Sequence, residues 1–101
     1  MNQQSKHLEH AKTVLKPETL ALINRPPYNH YGWKIVERWA YNSPSQLKAL
    51  ETQGELVLLS RLLEQQQVEQ EALTTTEALE ALTTGVVPHE ILAQNEIPTE
   101  L

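Results

Sequence analysis

The sequence predicts an all-α protein: a small bundle of five or six helices, with one long central helix over residues 55–73 and an irregular Pro/Tyr-rich loop at 25–32. Three observations carry that expectation. Apolar residues recur three and four apart in most segments. Prolines, glycines and capping residues punctuate those segments at helix-length intervals. Leu, Val and Ile supply 26 of 101 residues while Phe and Cys are absent, so the core is aliphatic and no disulfide or thiolate chemistry is available. A chain of this length implies a single domain overall.

Along the chain, Ser5 is placed to cap a first helix carrying Leu8, Ala11 and Leu15, which Lys16-Pro17 interrupts. Pro17 opens a second short helix with Leu20 and Ile23, and Pro26-Pro27 must end it near Asn24. Residues 25–32 read as a loop, dividing a basic helical arm, 1–24, from a main helical body, 25–101. Trp33, Val36, Trp39 and Ala40 fit one face of a helix from Trp33 to Asn42. Ser43-Pro44-Ser45-Gln46 predicts a capped start for the next, with Leu47 and Leu50 inward and Gly54 at its end.

Residues 55–73 contain neither Gly nor Pro, and Leu56, Leu59 and Leu63 begin a heptad-like stripe. Gln66 and Gln70 interrupt the stripe before Leu73 restores it. The stretch 64–71, Glu and Gln apart from Val68, is therefore expected to project into solvent or to pair polar layers in a helical assembly. Thr74-Thr75-Thr76-Glu77 signals a capped helix through Thr83 with Ala78, Leu79 and Leu82 inside, closed by Gly85. A last helix starts at Pro88 and carries Ile91 and Leu92. Residues 85–98 resemble in outline the first helix and turn of a helix-turn-helix unit. Their acidity, and the three residues that follow Pro98, give no expectation of DNA recognition there.

Charge is divided between the halves. Residues 1–50 hold seven bases against three acids, and residues 51–101 hold one base, Arg61, against ten glutamates. Two halves of opposite sign attract each other within one copy or between copies, or mark a nucleic-acid-binding half beside an acidic one. All five aromatics, Tyr28, Tyr31, Trp33, Trp39 and Tyr41, fall within fourteen residues. Tyr and Trp join a large apolar body to one polar tip, which suits an interface anchor as well as a core corner.

No catalytic residue, metal ligand or cofactor site is expected. His7 and His10 supply two ligands where zinc needs three or four, and no His-Glu-x-x-His occurs. The glycines Gly32, Gly54 and Gly85 are too scattered for a phosphate-cradling loop, and no serine sits in a glycine-flanked elbow. No apolar run approaches the roughly 20 residues of a membrane span, and the polar stretch from Asn2 to Glu9 does not read as a signal peptide, so a cytoplasmic protein without membrane partners is expected. The resulting expectation is a non-enzymatic protein-interaction module, an adaptor or assembly factor acting as a homo-oligomer. Tyr28, Tyr31, Trp33, Arg38, Trp39 and Tyr41 are its candidate partner contacts, and Leu56, Leu59 and Leu63 its core or oligomer stripe. The alternative expectation is a nucleic-acid-associated accessory or regulator using the basic half.

Overall fold

The computed structural model describes residues 8–101. They form a short 3-10 turn, Ala11–Thr13, and six α-helices: α1 (Pro17–Ile23), α2 (His30–Asn42), α3 (Pro44–Gln53), α4 (Glu55–Leu73), α5 (Thr76–Thr83) and α6 (Pro88–Gln94). The all-α bundle with its long central helix is as the sequence predicts. α4 is the spine, packing against α2, α3, α5 and α6, with its contacts to α2 reaching as far as Gln66 and Glu69.

Local chemistry sets the ends. Pro17, Pro44 and Pro88 each occupy a first-turn position, where the missing N–H removes no helical hydrogen bond. α2 begins at His30, three residues before the expected start, because the Asn29 side chain accepts from Tyr31 N at 3.0 Å and caps the helix inside the presumed loop. Ser43, by contrast, makes no side-chain cap for α3; its own N–H closes α2 by donating to Trp39 O at 2.7 Å. Thr75 rather than Thr74 caps α5, accepting from Ala78 N at 3.0 Å. Between α3 and α4 a single residue, Gly54, turns the chain at φ 149°, a backbone setting that side chains disfavour. The proposed cap Ser5 lies outside the described residues.

Two apolar clusters result. The larger gathers Leu8, Ala11, Leu15 and Ile23 with Ile35, Val36 and Trp39 of α2, Leu47 of α3, and Leu58 and Leu62 of α4. The described part of the 1–24 segment thus shares one core with the body. The smaller cluster, Leu73, Ala78, Ile91 and Leu92, ties α5 and α6 to the far end of α4, with Tyr31 and Leu82 at its edge.

The inward face of α4 differs from the expected stripe. Its buried residues are Leu58, Leu62, Gln65, Gln66, Glu69 and Leu73, which recur at helical spacing on one side. Leu56 is 76% exposed, and Leu59 and Leu63 lie partly buried on the flank. Nor does the polar stretch simply project into solvent: Gln65, Gln66 and Glu69 are buried and hydrogen-bonded within the chain.

Candidate functional site

α2 buries Gly32, Ile35, Val36, Trp39 and Ala40 and turns its opposite side outward. His30, Lys34, Glu37, Arg38 and Tyr41 therefore recur along one outer ridge at steps of three and four. A cleft opens on each side of this ridge. One, of about 450 Å³, lies between α2, α4, α5 and α6: Tyr31, Leu73, Leu82, Pro88 and Leu92 form its walls, with His30, Lys34, Arg38, Glu69 and His89 as polar groups. The other, of about 460 Å³, runs toward the N-terminal segment and is bounded by His10, Trp33, Glu37 and Tyr41. His30, Lys34 and Arg38 border both.

Arg38 is fixed from two directions. Its Nη2 lies 2.6 Å from Glu69 Oε2 and its Nη1 3.3 Å from Glu69 Oε1, a two-pronged pair with a buried carboxylate. Its Nε donates to Thr99 O at 3.0 Å and lies 3.7 Å from Glu100 Oε2. Gln65 Nε2 donates both to Glu69 Oε2 (2.6 Å) and to Pro98 O (2.7 Å), while Arg61 donates to Gln65 Oε1 at 2.8 Å. Arg61 also stands 5.1 Å from the centre of the Trp39 ring. Residues 98–101 are thereby strapped across α2 and α4, with Leu101 packed on the larger core.

The aromatic cluster divides by role. Trp39 is fully buried and donates through Nε1 to Thr99 O at 2.9 Å, which makes it a core residue and corrects its expected place at a binding surface. Trp33 packs on the larger core and donates to Ile23 O at 2.8 Å, leaving an edge toward the N-terminal-side cleft. The Tyr28 hydroxyl donates to Leu59 O at 2.7 Å, latching the 25–29 loop to α4, and burial pushes its pKa up. Tyr31 lines the α5/α6-side cleft beside the His30 ring, the two centroids 4.2 Å apart. Tyr41 is 70% exposed, and its ring meets His10 edge-on at 5.1 Å.

Sequence reasoning passed over His10, His30, Lys34, Glu69, Leu82, His89 and Leu92 as cleft residues. His30 and Lys34 carried a signal, one helical turn apart beside aromatics. The pairing of Arg38 with Glu69, 31 residues apart, carried none.

The carboxylates nearest these clefts are engaged in holding the fold. Glu37 accepts from His10 N at 3.0 Å and from Ala11 N at 2.7 Å; Glu69 is held by Arg38 and Gln65. His7 lies outside the described residues, and among the described residues no three His or Glu side chains converge to hold a metal ion. No helix among them is long and apolar enough to cross a membrane. Compared with known proteins, the chain matches no family model, no curated protein and no solved structure.

Proposed function

We propose that this protein is a non-enzymatic interaction module, an adaptor or assembly factor that works by contact with a protein partner and with a second copy of itself. The observation that carries this reading is Tyr41, 70% exposed on the α2 ridge at the rim of the N-terminal-side cleft, with Trp33 and Lys34 beside it. Exposed tyrosine next to a partly covered tryptophan and an ammonium is the composition of an interface anchor. Leu56, exposed at the start of α4 with Leu59 and Leu63 partly buried behind it, supports self-association. A non-enzymatic role is supported by Glu37, Glu51 and Glu69, whose oxygens are occupied by backbone amides, Lys48, Arg38 and Gln65. The nucleic-acid alternative loses support at Arg38, whose guanidinium is turned inward to Glu69 rather than toward a phosphate.

Sedimentation velocity across a range of protein concentrations tests self-association, and co-purification from the source cell tests the partner contact. Wild type is expected to sediment as an oligomer that Leu56→Asp converts to a folded monomer. A partner recovered with wild type is expected to be lost with Tyr41→Ala. A wild-type monomer at every concentration, with the same co-purifying set from wild type and Tyr41→Ala, overturns the proposal. Binding to short DNA that falls steeply with salt favours the nucleic-acid reading instead.

A further inference from the structure

The cleft between α2, α4, α5 and α6 combines three features that interface packing does not require. Its walls, Leu73, Leu82 and Leu92, are aliphatic and belong to the smaller cluster or its edge. Lys34 at its rim is exposed and has no carboxylate partner among the described residues. Arg38 reaches it with guanidinium donors left over: one N–H on each of Nη1 and Nη2 serves Glu69 and Nε serves Thr99, leaving the second hydrogen of each Nη.

We propose that this cleft binds an amphiphilic monocarboxylate, its head group held by Lys34 and the remaining Nη donors of Arg38 and its hydrocarbon chain laid against Leu73, Leu82 and Leu92. The charge count selects a single negative charge. Among the residues that line the cleft, Glu69 neutralises Arg38 and Lys34 is the cation left over, while Glu100, 3.7 Å from Arg38 Nε, lies outside the lining. A dianion has no second ammonium to meet, and a cationic amphiphile meets Lys34 itself. A volume of about 450 Å³ lies within the usual range of small-ligand sites, which occur preferentially between helices and at seams between packed units. The cleft stands at such a seam, between α2 of the larger cluster and α5 and α6 of the smaller. Four buried residues, Leu73, Ala78, Ile91 and Leu92, make a thin core for α5 and α6, so an apolar chain entering beside them extends that core. Lys34 borders both clefts and enters both readings, but the protein-contact reading is tested at Tyr41 and Leu56, neither of which lines this cleft.

The test is titration of the full chain with sodium decanoate, below its micelle concentration, followed by backbone amide NMR. Decanol and decyltrimethylammonium serve as neutral and cationic probes of equal chain length. Saturable one-to-one shifts are expected on α2, α5 and α6, with decanol weaker by on the order of tenfold and the cationic probe weaker still. Lys34→Gln is expected to bring decanoate down to the decanol affinity, and Lys34→Glu below it, with unchanged circular dichroism; Lys12→Glu, away from the cleft, is the charge control. The proposal is overturned by any of three results: decanol binding as tightly as decanoate, Lys34→Gln binding as wild type, or shifts that neither saturate nor map to these helices.

Discussion

Arg38 on α2 and Glu69 on α4 meet through two roughly parallel contacts, 2.6 and 3.3 Å long, with the carboxylate almost fully withdrawn from water. This pair joins the basic half of the chain to the acidic half at one buried point. Its removal in parts is therefore unequal to its removal as a whole. Arg38→Met leaves the Glu69 charge buried with only Gln65 for compensation, and a loss of about 3 kcal/mol in unfolding free energy is expected by urea denaturation. The double variant Arg38→Met/Glu69→Met is expected to lose less than the two single variants added together, because no unpaired charge remains.

Gly32 faces Gln66 across the α2/α4 contact so closely that an added Cβ would overlap the Gln66 Oε1 atom. That oxygen cannot swing away freely, since it accepts from Asn29 N at 3.1 Å while the Gln66 Nε2 donates to Pro27 O at 3.1 Å. Gly32→Ala gains about 1 kcal/mol of helix propensity and loses more through overpacking and the disturbed Gln66 bonds. A net destabilisation of about 1–2 kcal/mol is expected in thermal or urea unfolding. An increase in stability would show that Gln66 relaxes without cost.

Trp39 gives a graded prediction. Its ring is wholly buried and its Nε1 donates to a carbonyl that Arg38 also serves. Trp39→Phe keeps most of the apolar volume and leaves Thr99 O one donor, so a cost of about 1–2 kcal/mol is expected. Trp39→Ala is expected to cost about 3–5 kcal/mol. For the Phe variant, backbone nitrogen relaxation is expected to show residues 99–101 loosened more than α3, because the strap, which is held through the Pro98 and Thr99 carbonyls, loses a direct contact there.

Positions on α4 show what the sequence disclosed and what it hid. The existence and bounds of the helix followed from composition and from the absence of Gly and Pro. Its rotation did not, because the inward side carries Gln65, Gln66 and Glu69, which look like solvent-facing residues until Arg38, Pro27, Pro98 and Arg61 are seen beside them. Leucines at 56, 59 and 63 offered a cleaner pattern on the wrong side. The same limit explains the clefts: proline and glycine punctuation is local and legible, whereas the meeting of α2 with α6 is set by long-range packing. At Asn29 even a local signal was overridden, since a proline pair and three polar residues outweighed one capping side chain.

The rotation of α4 is itself testable. Leu56 and Leu58 lie about 200° apart around the helix at 100° per residue. Leu58 is fully buried and Leu56 mostly exposed. Leu58→Ala is expected to lower unfolding free energy by about 2–5 kcal/mol, and Leu56→Ala to change the monomer by no more than about 0.5 kcal/mol. A larger loss at Leu56 than at Leu58 would place the inward face where the heptad pattern put it.

Glu51, buried on α3, sets a pH dependence. Burial raises its carboxyl pKa, but hydrogen bonds from the Lys48 side chain, the Lys16 backbone N–H and the Thr19 hydroxyl, with the Lys48 charge, outweigh burial and hold it below the ordinary 4.5. The folded protein thus binds this proton less readily than the unfolded chain, so stability from the ionised group is fully present above pH 4.5 and drains away as pH falls through the lower folded value. Glu51→Gln removes the titration. At pH 7 the variant is expected to be less stable than wild type, as judged by urea unfolding, and the difference is expected to narrow as the pH is brought to about 3. A difference that stays constant over that interval would mean that Lys16 N and Lys48 bind the amide as well as they bind the carboxylate.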